Sequence, residues 1–426
     1  TSCSTMIDGD VTVPTTWTLA ASPYCVQPGV HVSGGVTLTV QPGVTIYFVS
    51  ATSGLTVSGS LLAIGTPTQP ITFTSFQANS QPGDWARLYV PAGGRMRLEY
   101  TDVSYGGSGK FTPWWASDCT NPYYLPLSDY DAAAVWVEDY APATAYPEIE
   151  IRHARLHHNR GSGLYFYGQS CEGCGSAGGW IATVEDTQID HNTGAAICEN
   201  AYLSEEHSAP TYRNLVLSDN GADSLVFPDS FSLYVDRTLD GPGSFNGKPI
   251  FLINGASIRA RDGHTLTVSP GTTVLFSPYD PDHDRGGLYG SLIAEGTPTQ
   301  PITFTSGAPT PQVGDWTGIF TEHGRLAYCD ISYAGTPRTG AWGNAALQVG
   351  DDVTVRRCNI HHNDAGVYSG YYDTYPFSVI TENDIHHNRV GILVSQTAPN
   401  LSANNVYANR DYGLIGGGSQ YWSVDA

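Results

Sequence analysis

Eleven residues, Gly-Thr-Pro-Thr-Gln-Pro-Ile-Thr-Phe-Thr-Ser, occur twice without a change, at 65–75 and at 296–306. A shorter motif, Gly83-Asp-Trp85, returns as Gly314-Asp-Trp316. Both pairs are offset by 231 residues (296 − 65 and 314 − 83). The chain is therefore a tandem duplication. An internal repeat of this kind restricts the fold more than any single motif does, because repeat architectures change what each motif means.

A second, shorter repeat combines an apolar residue, two polar residues and an asparagine, with a glycine a few positions later. Its asparagines are Asn159, Asn192, Asn220, Asn363, Asn388 and Asn409. They are 33 and 28 residues apart in the first half and 25 and 21 in the second. A spacing of 21 to 25 fits one coil of a parallel β-solenoid, in which stacked coils bury a shared apolar column. We expect each asparagine to lie at one bend, take a left-handed backbone and hydrogen-bond to its neighbours in adjacent coils.

Composition agrees with strands and turns. The chain has 48 glycines and 27 prolines, and only 14% of its residues are charged. The net charge of −21 argues against a nucleic-acid partner, because phosphate binding needs a basic face. No apolar run approaches the ~20 residues of a transmembrane helix.

The cysteine content and the first residue bear on location. The chain begins at Thr1 and has no signal peptide, so we interpret it as a processed mature form. Eight cysteines in an acidic, lysine-poor chain favour an oxidising setting. The sequence therefore predicts a secreted, extracellular or cell-surface protein.

We divide the chain into an N-terminal capping segment, a first β-helix half with loop insertions, connecting coils, and a second half continuous with the first. These segments are 1–25, 26–225, 226–253 and 254–426. Stretches rich in Gly, Pro, Tyr or Cys interrupt the repeat and are expected to be loops. The predicted loops are 106–131, 138–148, 168–179, 199–210, 276–288 and 370–377.

The motifs quoted above, together with Leu-Thr-Val-x-Pro-Gly and Pro-Ile-Thr-Phe-Thr-Ser, resemble those of secreted right-handed parallel β-helix repeat proteins. The resemblance covers nearly the whole chain. It implies an all-β, single-stranded right-handed parallel β-helix of pectin-lyase-like architecture, internally duplicated. That architecture hosts pectin-active lyases and hydrolases, phage tailspikes, adhesins and surface proteins, so function must be argued from the site.

The cysteines are expected to form disulfides. Cys329 and Cys358 take the same position in successive coils, which brings their Cα atoms near the ~5 Å that a bridge needs. The alternative is two stacked free thiols in the core. Cys3 and Cys25 would join the N-terminal segment to the first coil. The others are expected to pair among themselves rather than bind zinc: Cys119, Cys171, Cys174 and Cys198.

Two groups of residues suggest metal ions. We expect His158 to stack on His191, and His362 to stack on His387. These stacks could form a metal site or supply a general base. Alternatively, histidine simply occupies the polar position before the asparagine bend. We favour the polar position because it repeats in both halves without an accompanying acid or nucleophile. Three carboxylates at alternate positions suggest a structural Ca²⁺ site, with a solvated acidic turn as the alternative: Asp280, Asp282 and Asp284. No cofactor is required.

Aromatic residues crowd the predicted loops. Exposed rings can stack on sugars, whereas buried ones would form small cores under the loops. The candidate glycan-binding rings are Trp114, Trp115, Tyr123, Tyr124, Tyr371 and Tyr372.

The signal for catalysis is weak. Of the acidic motifs of polygalacturonase-type hydrolases only Asp351-Asp352 is present, and we place it in a turn. Arg152 or Arg356 could serve as a lyase base, but the sequence places no acid cluster beside either. The paired carboxylates Glu138-Asp139 and Glu205-Glu206 are expected in loops.

We therefore predict a non-catalytic extracellular structural or surface protein, adhesive or fibre-forming. Its partner would be an extracellular polysaccharide or a second copy of the chain. Uncapped solenoid ends would favour head-to-tail association into filaments. The alternatives are a polysaccharide lyase or glycoside hydrolase and a carbohydrate-binding module.

Overall fold

A computed structural model describes most of the chain. The described residues are 2–108, 132–140, 145–169, 180–200, 209–228, 230–252, 255–261, 263–278, 286–335, 345–370, 378–395, 399–417 and 421–424. They fall into two compact units. Unit 1 comprises 1–228 with 243–246, and unit 2 comprises 229–242 with 247–426.

Unit 1 is built from short strands and one 3₁₀ turn, Leu19–Ala21. Its strands are β1 Thr5–Ile7, β2 Thr15–Trp17, β3 Tyr24–Val26, β4 Val30–Val32, β5 Thr37–Val40, β6 Thr45–Phe48, β7 Leu55–Val57, β8 Ser60–Ile64, β9 Ile71–Ser75, β10 Leu88–Val90, β11 Arg95–Glu99, β12 Thr101–Ser104, β13 Ala133–Tyr140, β14 Glu148–Arg152, β15 Arg155–His157, β16 Ser162–Gln169, β17 Ile181–Glu185, β18 Gln188–Asp190, β19 Ala195–Asn200, β20 Thr211–Arg213, β21 Val216–Ser218 and β22 Ala222–Phe227.

These strands form three parallel sheets, and successive strands along the chain pass from one sheet to the next. Sheet A contains β1, β3, β6, β9, β12, β15, β18 and β21. Sheet B contains β4, β7, β10, β13, β16, β19 and β22, and sheet C contains β2, β5, β8, β11, β14, β17 and β20. Each coil thus contributes one strand to each sheet. Residues 5–7 and 15–17 pair in register with the first complete coil.

Unit 2 repeats this plan, and two of its strands, described below, are longer than any described strand of unit 1. Its strands are β23 Phe231–Leu233, β24 Arg237–Leu239, β25 Ile250–Leu252, β26 Ser257–Ala260, β27 Thr265–Val268, β28 Thr273–Phe276, β29 Gly287–Tyr289, β30 Ser291–Glu295, β31 Ile302–Ser306, β32 Gly318–Ala327, β33 Cys329–Ser332, β34 Ala345–Arg356, β35 Asn359–His361, β36 Ala365–Ser369, β37 Val379–Thr381, β38 Asp384–His386, β39 Val390–Val394, β40 Asn400–Ser402, β41 Asn405–Tyr407, β42 Tyr412–Gly417 and β43 Tyr421–Val424. The short helix α1 Gly241–Phe245 is divided between the units, with 241–242 in unit 2 and 243–245 in unit 1.

In unit 2 the strands β25, β28, β31, β33, β35, β38 and β41 form one parallel row. The long strands β32 and β34 each span two further rows and join them into one sheet. The last strand differs, because β43 pairs antiparallel with β42. The predicted all-β parallel β-helix is confirmed. Continuity of the two halves stays a prediction.

Several strands extend further than the sequence suggested. We expected loops from residues 138, 168 and 199, but β13 continues to Tyr140, β16 to Gln169 and β19 to Asn200. The loop assignment of Glu138 and Asp139 was therefore wrong, and so was the turn assignment of 351–352, which lies inside β34. Local polarity misled the prediction, since a strand held by a neighbour on each side tolerates polar residues that its own propensity disfavours.

The Gly-Asp-Trp motif anchors the core of each unit in the same way. Trp85 stacks on Phe48 with ring centroids 4.1 Å apart, and its indole N–H donates to the Ser104 carbonyl over 2.8 Å. Trp316 stacks on Phe276 at the same centroid distance. The aspartate before each tryptophan accepts a hydrogen bond from a serine hydroxyl. The duplicated motif therefore has a packing role.

The repeated asparagines lie at one bend of the coil, which we name the first corner, and they hydrogen-bond in columns. In unit 1, Asn159 donates its amide to Asn192 over 2.9 Å, and Asn192 donates to Asn220 over 2.8 Å. In unit 2, Asn388 accepts from Asn363 over 3.0 Å and donates to Asn409 over 3.1 Å. Each side-chain oxygen also accepts a backbone N–H from the coil before it.

The left-handed backbone at the first corner belongs to the residue before each asparagine, whereas we had assigned it to the asparagine. These preceding residues have φ between 51° and 58° and are His158, His191, Asp219, His362, His387 and Ala408. The asparagine side chain can then turn inward, where its amide replaces the backbone partners that the bend removes. The side chain of the left-handed residue stays outside.

A second corner, not predicted, has the same construction at the end of sheet C in unit 1 and of its counterpart in unit 2. Its left-handed residues are Tyr100, His153, Asp186, Asn214, Tyr328, Arg357, Glu382 and Ala403. In unit 2 it carries another amide pair, Asn383 donating to Asn404 over 2.9 Å.

The predicted Cys329–Cys358 disulfide is wrong, since both residues are buried free thiols. They occupy the asparagine position of the second corner: the Cys329 N–H donates to the Cys358 sulfur over 3.4 Å, and the Cys358 N–H donates to Asn383 over 2.9 Å. Each thiol donates to a backbone carbonyl, Ala294 for Cys329 and Arg356 for Cys358, and the two sulfurs are not bonded to each other. Burial raises the pKa of the Cys329 thiol, which keeps it protonated.

The other cysteines differ from this pair. Cys3 and Cys25 form a disulfide with Cα atoms 5.7 Å apart. Cys198 is buried and disulfide-bonded. Cys119, Cys171 and Cys174 lie outside the described residues, so the pairing in this group stays a prediction.

Removing one ladder amide should destabilise unit 2. Asn388→Ala leaves several buried donors and acceptors without partners, each costing about 1–3 kcal/mol, so we expect a loss of about 3 kcal/mol or more. Urea unfolding of the variant measures it. Asn405→Ala, at an exposed asparagine of the same unit, is the control and should change stability by less than about 0.5 kcal/mol. Equal effects of the two substitutions would contradict a structural role for the ladder.

Thiol labelling should distinguish the two cysteine states. Without reductant, an alkylating agent should modify Cys329 and Cys358 only after denaturation, because both thiols are buried, and should never modify Cys3 or Cys25. Peptide mass spectrometry reports the outcome. A peptide pair linked through Cys329 and Cys358 would show that the bridge exists after all.

Candidate functional site

Most of the candidate ligand residues from the sequence lie outside the described residues. These are the aromatic candidates Trp114, Trp115, Tyr123, Tyr124, Tyr371 and Tyr372, the carboxylates Asp280, Asp282 and Asp284, and the pair Glu205-Glu206. Glycan binding by those rings and calcium binding by those carboxylates stay predictions.

Histidines occupy successive first-corner positions in both units. The rings of His158 and His191 stack with centroids 4.8 Å apart and planes 5° from parallel. Those of His362 and His387 stack at 5.3 Å and 6°. The left-handed backbone at these positions favours residues such as His, Asp and Asn, which explains the recurrence without a catalytic role.

Hydrogen bonds order one histidine pair in unit 1. His157 Nε2 lies 3.0 Å from the Asp102 carboxylate, and His157 Nδ1 lies 2.7 Å from Nδ1 of His158. Because a carboxylate only accepts, His157 donates to Asp102 through Nε2, and a single proton is shared in the contact between the two Nδ1 atoms. This arrangement orders the three side chains on the outer face of sheet A.

Unit 2 repeats the arrangement. His361 Nε2 lies 3.3 Å from Asp330, and its Nδ1 lies 2.7 Å from that of His362. His386 and His387 form the same Nδ1–Nδ1 contact at 2.7 Å in the next coil. Burial, and then the charge of the neighbouring imidazoles, lowers the pKa of His362 and of His386, which keeps both rings neutral at neutral pH.

These stacked rings do not form a metal centre as they stand. The lone pair of an imidazole lies in its ring plane, so parallel stacked rings direct their lone pairs side by side instead of toward one ion. Among the side chains that the structure describes, no three His, Cys, Asp or Glu residues could hold a metal ion.

An open groove of about 540 Å³ follows the second corner of unit 1, and we name it the corner groove. Its length is set by four left-handed residues in successive coils, Tyr100, His153, Asp186 and Asn214. The turn 66–70, part of the duplicated segment, forms one wall through Pro67 and Pro70.

Polar contacts hold the groove lining in place. The Tyr100 and His153 rings stack with centroids 4.7 Å apart, and the Asn214 amide donates to the Asp186 carboxylate over 2.6 Å. Arg155 donates two hydrogen bonds, of 2.9 and 2.7 Å, to the fully buried carboxylate of Asp190. Burial alone would raise the pKa of Asp190, but the hydrogen bonds from Arg155 and from a neighbouring histidine hold it below its usual value.

The corner groove was not predicted from the sequence, although its residues carry a periodic signal. His153, Asp186 and Asn214 are 33 and 28 residues apart (186 − 153 and 214 − 186). Asn159, Asn192 and Asn220 have the same spacings. The column of His153, Asp186 and Asn214 was not predicted, because its residues share a backbone conformation and not a residue type.

The carboxylate–aromatic cluster on the outer face of sheet B is a second candidate. Glu138 lies beside Tyr89 and Trp136, and burial is the main cause that raises the pKa of Glu138. Trp136 stacks on Tyr165 with centroids 4.3 Å apart, and both rings are buried. Trp136 thus belongs to a small core and offers no open platform.

The candidate lyase bases are engaged in ion pairs. Arg152 Nε lies 2.9 Å from Glu150 and 3.4 Å from Glu185, and Arg356 lies 3.5 Å from Glu295. Acids therefore flank both arginines, a neighbourhood that the sequence did not indicate. They bind the guanidinium groups instead of an added cation.

Comparisons with known proteins agree with the geometry. The family described as "Right handed beta helix region" matches residues 318–425, within unit 2. The chain is a right-handed parallel β-helix. This β-helix is also similar to Protein bark beetle of Drosophila melanogaster, with 34% identity over 116 residues. That alignment covers 26% of this chain and 4% of the Drosophila protein, so the similarity is confined to a small part of that relative. No helix in the described part of the β-helix is long and apolar enough to cross a membrane.

The lowered histidine pKa values should make stability depend on pH. A group whose folded pKa lies below its unfolded value of about 6.5 binds protons first in the unfolded chain, so the unfolding free energy should fall as pH drops below about 6.5. Urea unfolding across this range, at pH values above those where carboxylates titrate, measures the slope.

The matched variants are His362→Asn, which keeps a residue suited to the left-handed backbone, and His323→Asn at an exposed histidine of the same unit. The first should flatten the slope and the second should leave it unchanged. A slope that His362→Asn does not alter would assign the pH dependence to other groups.

Proposed function

We propose that this β-helix is a non-catalytic extracellular scaffold, a surface or adhesive component, and that unit 1 binds an extended polymer in its corner groove. The supporting observation is the groove itself, which crosses four successive coils. A ligand extended along the direction in which the coils of unit 1 stack would contact a new set of side chains at each step of ~4.8 Å.

The state of the lining groups favours binding over turnover. Asp102, Arg155 and Asp186 each contact a fixed partner. Such groups are well placed to donate or accept hydrogen bonds to a ligand, because little side-chain entropy is lost on binding. A general acid or base must instead change its protonation state during the reaction, which these contacts oppose.

The disulfide and the ladders support a role outside the cell. The Cys3–Cys25 bridge is stable in an oxidising compartment. Columns of buried amides hold each coil in register with the next, which gives a stiff support for a binding surface. Secretion of the protein is part of the function proposed above.

Substituting the aromatic end of the groove should weaken ligand binding. Tyr100→Ala removes the ring that stacks on His153, and we expect binding to the best ligand of a polysaccharide panel to weaken about 10-fold, which corresponds to about 1.4 kcal/mol. Affinity electrophoresis or calorimetry on the full chain measures it. Alanine is acceptable at this backbone position, since Ala403 and Ala408 take it naturally.

Tyr328→Ala is the matched control, because Tyr328 holds the equivalent corner position in unit 2 and there contacts Arg357. It should leave binding unchanged. If both variants bind as the unsubstituted protein does, the ligand lies elsewhere. Release of reducing ends by the protein would reject the non-catalytic proposal.

A polysaccharide-active enzyme is the second candidate, and Glu138 favours it. A carboxyl group whose pKa is raised by burial beside aromatic rings suits a general acid. If turnover is found, Glu138→Gln should reduce the rate at least about 100-fold. Unchanged turnover in this variant would exclude Glu138 as the acid.

End-to-end assembly has less support. The edge of β42 already carries β43 as an antiparallel partner, so that edge is occupied. Filament formation stays a proposal that electron microscopy of the purified protein tests directly.

A further inference from the structure

The corner groove carries an excess of negative charge. Asp102 is hydrogen-bonded to an imidazole, and Asp186 to the neutral amide of Asn214. The guanidinium of Arg155 is matched by its own carboxylate, Asp190. Arg155 also stands opposite Asp102 in the adjoining strand, but its guanidinium donates both of these hydrogen bonds to Asp190. Among the described residues at the groove, the carboxylates of Asp102, Asp186 and Asp190 therefore outnumber the single guanidinium of Arg155.

The charge of the whole chain acts in the same direction. A net charge of −21 repels a polyanion approaching any acidic surface, and within the Debye length of about 8 Å the two groove carboxylates add to that repulsion. A uronate or sulfated chain would bring negative charge against Asp102 and Asp186. Such ligands are disfavoured at this site.

The hydrogen-bonding groups of the groove suit hydroxyls. A carboxylate offers two acceptor oxygens, which match two adjacent hydroxyl groups, while the amides of Asn214 and Gln188 both donate and accept. The exposed carboxylate of Asp186 lies one coil beyond His153, whose ring stacks on Tyr100. A ring with apolar faces and hydroxylated edges can use both kinds of contact.

We infer that the corner groove takes an uncharged, hydroxyl-rich chain, a neutral oligosaccharide, with about one ring per coil. The inference rests on the proposed binding function and adds the class of ligand. Asp102 and Asp186 accept hydrogen bonds from its hydroxyls, and the Tyr100–His153 pair contacts the face of a ring. Binding is consequently insensitive to salt, since no net charge is neutralised.

Three oligosaccharides of equal length test the ligand class: a neutral β-1,4-linked glucan, its amino-sugar counterpart and an oligogalacturonate. Calorimetry on the full chain gives each affinity between about 0.01 and 1 M salt, a range over which the Debye length falls from about 30 Å to about 3 Å. We expect the neutral chain to bind best, with an affinity that changes less than about 2-fold across the range. Tighter binding of either charged chain, or a steep fall with salt, would overturn the inference.

Two substitutions at one residue separate hydrogen bonding from charge. Asp186→Ala should weaken the neutral ligand about 10-fold, whereas Asp186→Asn, which keeps an acceptor and suits the left-handed backbone, should weaken it less than about 3-fold. Glu382→Ala changes the equivalent corner of unit 2 and should have no effect.

The pattern of results separates the two proposals. If Tyr100→Ala abolishes binding of a charged chain, the groove binds polymers but the ligand class is wrong. If no oligosaccharide binds the unsubstituted protein, both the ligand class and the binding function proposed for the groove fail. Equal losses in Asp186→Ala and Glu382→Ala would mean that the groove is not the site.

Discussion

Everything in this fold depends on buried amides that replace the backbone hydrogen bonds lost at each bend. A parallel coil must turn sharply between strands, and the turn removes partners from backbone groups that water cannot reach. The side chains of Asn192 and Asn388 supply those partners while bonding to the next asparagine in the column. The registers of the adjoining strands follow from these columns, since a shift of one residue would break every bond in a column.

The left-handed residue beside each buried amide links fold to surface chemistry. Its backbone is fixed by the bend, yet its side chain lies outside the core. This separation lets His153, Asp186 and Asn214 present a ring, a carboxylate and an amide in consecutive coils on one support. The groove in unit 1 is thus a direct product of the coil geometry, and its contents are set by residues that the fold leaves free to vary.

The sequence predicted the architecture because the duplication and the asparagine spacing are periodic signals. It did not predict the groove, whose column mixes Tyr, His, Asp and Asn and is visible only through a shared backbone conformation. The prediction of a Cys329–Cys358 disulfide was wrong for a related reason. Equal positions in successive coils bring two side chains near each other, but the direction of each thiol depends on the carbonyls around it. Side-chain direction is a tertiary property that spacing alone does not encode.

The duplication leaves two versions of one corner in a single chain. Unit 1 has Tyr100 beside His153, whereas unit 2 has Tyr328 beside Arg357. The last left-handed residue of the second corner is Asn214 in unit 1 and Ala403 in unit 2. The coil has accepted aromatic, cationic, acidic, amide and methyl side chains at this one position without a change of backbone. The ligand preference of such a solenoid can therefore change through substitutions in one coil at a time, because the corner side chain can be replaced while the backbone that carries it stays the same.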